Sequence, residues 1–103
     1  MFTNSREQLQ KILEDLSGVN VYFQPPQSIR ISYPAIIYSL SNISHTNANN
    51  NTYTIEHEYK IVLVDKNPDS KTIEKLMTLP RIRFSDQYAK DGLYYNSFYI
   101  YYK

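Results

Sequence analysis

The sequence contains no cysteine and no tryptophan, only two glycines, and 11 basic residues against 10 acidic ones. Without cysteine there is no disulfide scaffold, zinc ribbon, iron–sulfur site or thiol nucleophile. Stability must come from an apolar core, or from assembly into something larger. A net charge of +1 excludes affinity driven by bulk charge, so neither a histone-like nor a polybasic membrane-binding protein is expected. The longest aliphatic run, Ile61-Val62-Leu63-Val64, falls far short of the ~20 residues that span a bilayer. The opening MFTNSREQ lacks the charged-then-apolar layout of a secretory signal. Independent cores usually need more than ~50 residues, so 103 residues fit one domain. The sequence predicts a single small soluble domain of intracellular type, spanning 1–103.

What is abundant is tyrosine. There are 11 Tyr and 4 Phe. A bias toward Ile, Asn, Lys and Tyr is what an AT-rich genome produces. Tyrosine also supplies stiff, amphipathic contact area where protein meets protein, and the two explanations are compatible. Six of the 11 tyrosines (Tyr88, Tyr94, Tyr95, Tyr99, Tyr101 and Tyr102) fall in the last sixteen residues.

Residues 5–17 read as an amphipathic helix. Ser5-Arg6-Glu7-Gln8 has the form of a capping box, and Leu9, Ile12, Leu13 and Leu16 make one apolar stripe. Glu7, Gln10, Lys11 and Glu14 take the wet side, with Gly18 as the left-handed residue that closes the helix. Residues 19–24 form a short β candidate, stopped by the stiff connector Pro25-Pro26. Residues 29–33 are a second extended piece ahead of Pro34. From Ala35 the pattern turns β, with Ile36, Tyr38 and Leu40 alternating against Ile37, Ser39 and Ser41. The polar segment 44–52 predicts a solvated loop or hairpin tip. Tyr53, Ile55, His57, Tyr59, Ile61 and Leu63 then alternate with Thr54, Glu56, Glu58 and Lys60. At ~3.3 Å per residue such a strand spans roughly 40 Å, so the hairpin 35–64 should project from the body.

Residues 65–69 turn the chain. Asn67 is the expected cap of a second helix, with Pro68 at its first position and Asp69 as an early anion. Ile73, Leu76 and Met77 form its apolar stripe, and Pro80 stops it. Two β runs finish the chain, 81–88 with Ile82 and Phe84 inward, and 93–102, joined by the tight-turn step Asp91-Gly92. The last run is apolar on both faces, with Phe98, Ile100 and Tyr102 on one and Tyr95, Tyr99 and Tyr101 on the other. The second face has no evident partner. The order α–β–β–β–α–β–β predicts an α+β fold, a mostly antiparallel sheet with both helices on one face and a long projecting hairpin.

The search for chemistry finds little. His57 lies mid-strand among Tyr and Ile, the setting of a packed or interface residue, and His45 sits in a polar segment with no acid or thiol nearby. Glu56 and Glu58 are ~7 Å apart on one strand face, a spacing loosely compatible with paired acid/base carboxylates. With Lys60 on the same face they read as a solvated charge row. Gly18 and Gly92 both have turn explanations, so there is no Gly-rich phosphate loop, and no serine has a G-x-S-x-G setting. We expect no catalytic residue, cofactor or metal, and no enzyme. Arg81 and Arg83 beside a Tyr-rich strand leave single-stranded nucleic-acid binding open, though the charge is balanced and no RNA-binding signature is present. The other reading is assembly, in which the Tyr face, the hairpin and the charge row are subunit contacts and a closed ring removes the exposed edges. Its candidate interface residues are His45, Asn49, Asn50, Glu56, Glu58, Arg81, Arg83, Tyr95, Tyr99 and Tyr101.

A family resemblance points the same way. It is carried by Val21-Tyr22-Phe23-Gln24-Pro25-Pro26, by Tyr33-Pro34-Ala35-Ile36-Ile37-Tyr38-Ser39-Leu40, and by Tyr59-Lys60-Ile61-Val62-Leu63-Val64-Asp65-Lys66-Asn67-Pro68-Asp69-Ser70. It continues through Leu79-Pro80 and Phe84 to the aromatic last strand, and departs after Asp91, where Leu93-Tyr94-Tyr95 replaces a Leu-Asn-His-like step. In this order the chain resembles the small tail terminator, or tail completion, proteins of long-tailed bacteriophages. The resemblance implies a virion part of the tail and neck, made in the host cytoplasm. Such a protein forms a ring, commonly a hexamer, on the last ring of the tail tube protein and stops its polymerisation. It then docks to the head-completion or connector protein, and DNA passes through the lumen without specific binding. It implies no membrane partner. On this reading Glu56 and Glu58 face the lumen or a neighbour, and the 45–52 tip reaches an adjacent ring. A head-closure or head–tail adaptor subunit of the neck is the alternative.

Overall fold

Helix α1 (Ser5–Ser17) forms where its apolar stripe predicts, with Leu9 and Leu13 fully buried and Ile12 and Leu16 half-buried. The computed structural model describes residues 5–25, 30–48 and 52–102, with backbone alone at 5, 44–48 and 52–54. The Ser5 side chain of the predicted capping box, Pro26 and residue 29 therefore lie outside the description. Gly18, at φ 70°, closes α1 by donating its amide to the Glu14 carbonyl at 3.0 Å. Gln10 is not on the wet side. It is half-buried and its Oε1 accepts from the Tyr38 hydroxyl at 2.8 Å, because the long ring of Tyr38 crosses the core to the helix flank.

Five strands follow in one sheet: β1 (Asn20–Phe23), β2 (Ala35–Ala48), β3 (Thr52–Asp65), β4 (Ile82–Lys90) and β5 (Leu93–Tyr102). Their spatial order is β1-β2-β3-β5-β4, antiparallel except for the parallel pair β1–β2. With helix α2 (Lys71–Leu76) between β3 and β4, this is the α+β fold that the sequence predicts. Where β1 ends, Gln24 turns to φ 41° and its Oε1 accepts from the Leu40 amide at 3.2 Å, so a side chain extends the edge pairing. The core lies between the sheet and both helices. Register puts Ile36, Leu63 and Asn96 in one row and Tyr38, Ile61 and Phe98 in the next, under Leu9, Leu13 and Leu76. Asn96 is fully buried yet satisfied: its Nδ2 donates to the Leu63 carbonyl at 3.3 Å, and its Oδ1 accepts from Gln87 Nε2 at 2.7 Å.

Other expectations also need correction. Helix α2 starts at Lys71, capped by the Ser70 hydroxyl accepting from the Thr72 amide at 3.3 Å. Asn67 instead uses its Oδ1 to accept from the Asp69 amide at 3.0 Å, holding a turn in which Pro68 and Asp69 precede the helix. Met77 is the helix C-cap and 44% exposed, because the helix ends before its stripe reaches that residue. Phe84 is 43% exposed, because β4 is the sheet edge; its ring meets the core residue Phe98 edge-to-face at 5.4 Å. Lastly, most of 44–52 is strand. β2 runs to Ala48 and β3 resumes at Thr52, since ladder pairing satisfies the backbone whatever the polarity of the side chains. The β4–β5 turn is as predicted, with Asp91 at φ 53° and Gly92 at φ 78°, both left-handed as a two-residue hairpin turn requires.

The hairpin projects only in its outer half. β5 pairs with β3 from His57 to Asp65, so residues 52–56 have β2 alone as a partner. This two-stranded arm stretches the described chain to 53 × 27 × 23 Å, with a radius of gyration of 15.0 Å. A compact domain of this length has about 13 Å.

Candidate assembly surface

Alternation on β3 places Glu56, Glu58 and Lys60 on the sheet face that carries no helix. Register brings Tyr101 beside Glu58, and Tyr99 between Lys60 on β3 and Arg83 on β4. Arg81 stands just before β4 at φ 63°. Its Nη1 and Nη2 donate to the two Glu56 carboxylate oxygens, each at 2.8 Å. Arg83 Nη2 lies 3.9 Å from Glu58 Oε2. Both guanidinium groups cross β5 over aromatic rings, Arg81 at 5.3 Å from the Tyr101 centroid and Arg83 at 4.8 Å from that of Tyr99.

Of the residues singled out by sequence, six thus meet in one cluster: Glu56, Glu58, Arg81, Arg83, Tyr99 and Tyr101. Tyr95 lies farther along the same face, stacked on Tyr88 at 4.9 Å and 4°. His45 is on the arm, paired in register with Ile55, while Asn49 and Asn50 lie outside the described residues. The geometry corrects two expectations. The acidic row is a ladder in which each carboxylate has its own arginine. The tyrosine face is not bare, because Tyr99 and Tyr101 are half-buried beneath those arginines, and Ala35 and Val64 on this face are fully buried.

These surroundings move tyrosine titrations upward. A hydrogen bond to the Glu58 carboxylate, then the charge of that carboxylate, raises the Tyr101 pKa. Burial comes first for Tyr95, with Tyr33, Tyr88 and Asp91 adding to it, and burial raises Tyr38 against the opposing pull of Arg6. Raised folded-state values mean that the unfolded chain loses these protons first. Their contribution to stability is full below the ordinary tyrosine pKa and is lost as pH rises through the folded-state values. In an alkaline absorbance titration, Tyr38→Phe, Tyr95→Phe and Tyr101→Phe should each remove one late-ionising phenol. Removal of an early-ionising one instead would contradict these environments.

The sequence reading missed the exposed apolar surface, which lies on the opposite, helix-side face. Leu40, Ile43 and Ile55 are 40%, 51% and 55% exposed, beyond the reach of α1 and α2. Register places Ile43 beside His57, and His57 stacks on Tyr59 at 6.3 Å with its Nδ1 buried and without a hydrogen-bond partner among the described residues. A groove of about 350 Å³ adjoins the root of the arm, lined by Leu9, Ile12, Leu79, Pro80, Ile100 and Tyr102 among others. Ile43 and Ile55 were visible as apolar residues flanking a polar tip. What hid their exposure was the point at which β5 stops.

No protein-family model matches the chain, and a search of curated proteins finds no match.

Chemically, the ladder ties the edge of β4 to β3 across β5, each arginine facing a carboxylate and a tyrosine ring. Among the described residues no three His, Asp or Glu side chains group as a metal site would require.

Proposed function

We propose that this chain is a non-enzymatic phage structural protein. It forms a ring, hexameric in the family it resembles, at the head-proximal end of the tail tube, ends tube polymerisation and joins tail to head. The observation that carries the reading is the arm. A domain of this size that extends a two-stranded arm with Leu40, Ile43 and Ile55 uncovered on one face has surface meant for a partner. The resemblance to the tail terminator proteins, carried by the ordered residue set quoted above, supports a tail assembly as that partner system. Its partners are then other copies of itself, the tail tube protein and the connector, with DNA in the lumen.

The paired ladder refines the expected role of Glu56 and Glu58. A wall of matched charges neither binds nor repels the DNA backbone strongly, which suits passage. The test is to add purified protein to polymerising tail tubes while following its own mass by sedimentation. Ring-sized species and tubes that stop growing are expected. A protein that stays monomeric at every concentration and leaves tube growth unchanged would overturn the reading. Binding to the connector but not to tube ends would instead favour the adaptor alternative.

A further inference from the structure

The arm leaves the body at a definite place. β3 has two neighbours as far as His57, which pairs with Tyr102, and from Glu56 outward only β2 supports it. A ribbon of two strands is marginally stable in water. Just inside the body from that root, β2 carries a register irregularity between Leu40 and Asn42, opposite Tyr59 and Glu58, where Ser41 is the extra residue. Such a bulge bends a strand and loosens its ladder locally.

Glu56 is the first residue of the arm past the body, and the Arg81 fork holds it by both carboxylate oxygens. Arg81 belongs to the body. Its carbonyl accepts from the Tyr101 amide at 3.4 Å, its guanidinium covers the Tyr101 ring, and its backbone is left-handed at φ 63°, uncommon for a residue with a Cβ. The bridge therefore spans from the edge of the sheet, across β5, to the arm root, just outward of the bulge. Exposed ion pairs are ordinarily weak, and bidentate arginine geometry within a network is the exception.

We propose that Arg81 and Glu56 form a latch that sets the direction of the arm, with the Ser41 bulge as its hinge. Opening the latch lets the arm swing while the five-stranded body stays folded. The inference concerns the isolated subunit and stands apart from the ring reading.

Because the chain has no cysteine, two spin labels can be placed without background, through Thr46→Cys on the arm and Lys66→Cys on the body. The parent should give one narrow distance distribution. Glu56→Gln, which leaves the Arg81 backbone untouched, should broaden it or add a second peak, as should high salt. Amide exchange should rise about 5-fold in residues 44–48 and 52–56, which pair only with each other, and stay unchanged in 57–65 and 93–102. The charge swap Arg81→Glu with Glu56→Arg should narrow the distribution again. An unchanged distribution in Glu56→Gln, or faster exchange spread evenly over the body, would overturn the latch.

Discussion

Phe98→Ala should lower the stability of the monomer by about 3–5 kcal/mol. Phe98 is fully buried, facing Ile61 across β3 and Phe84 across β4, and it belongs to the same cluster as Leu9, Leu13 and Tyr38. Truncation removes the ring from water-free packing and leaves a cavity at the centre of the sheet, where neighbouring strands cannot close over it. A domain of this length has about 5–15 kcal/mol in total. The melting temperature should therefore fall by on the order of 20 °C. Phe84→Ala provides the contrast, since Phe84 meets the same ring at 5.4 Å but is 43% exposed. Its truncation should cost no more than about 1.5 kcal/mol. Both numbers come from urea denaturation at protein concentrations low enough to keep the subunit monomeric, because association would add apparent stability. Equal losses for the two variants would mean that β4 is not the sheet edge.

The contrast between these two rings shows which parts of the fold were legible. The pattern alone assigned Phe84 inward, and placed Phe98 on one of two apolar faces of the last strand without saying which is covered. Exposure of Phe84 follows from strand order, which places β4 outermost and is not a local property. Features fixed by a few neighbouring residues were read correctly: the stripe and Gly18 closure of α1, the Asp91-Gly92 turn, and the bounds of β5. The start of α2 was ambiguous because Asn67 and Ser70 can both cap a helix. Asn67 is spent on a turn with Asp69, itself fed by Asp65 Oδ1 accepting from the Asn67 amide at 3.1 Å, which leaves Ser70 to cap. The candidate site divides the same way. Alternation announced that Glu56 and Glu58 share a face, as do Arg81 and Arg83. That the two pairs meet could not be read, because they lie 25 residues apart with β5 between them, and the arginines must reach over Tyr99 and Tyr101 to close the gap.

The double substitution Ile43→Asp with Ile55→Asp should abolish self-association while leaving the monomer folded. Each isoleucine is already more than half exposed in the single subunit, so replacing it removes little buried area and should cost the fold at most about 1 kcal/mol. In an assembled ring the balance reverses. Only the exposed half of each isoleucine is left to bury, a contribution of about 0.8–1.5 kcal/mol, so losing two weakens association by a factor on the order of 10 to 10². The introduced carboxylates add the cost of desolvating charge on assembly. If the parent forms the proposed ring, sedimentation velocity should show only monomer for the double variant at the same concentrations, with circular dichroism and the melting temperature nearly unchanged. Tyr99→Ala is the informative companion. Tyr99 is half-buried beneath the Arg83 guanidinium within its own subunit, so its loss should loosen the ladder but spare association if the arm is the contact. The reverse outcome, with the double aspartate variant still assembling and Tyr99→Ala monomeric, would move the interface to the helix-free face. The uncovered apolar area argues against that, because it lies along Leu40, Ile43 and Ile55, whereas the tyrosines are already roofed by arginine.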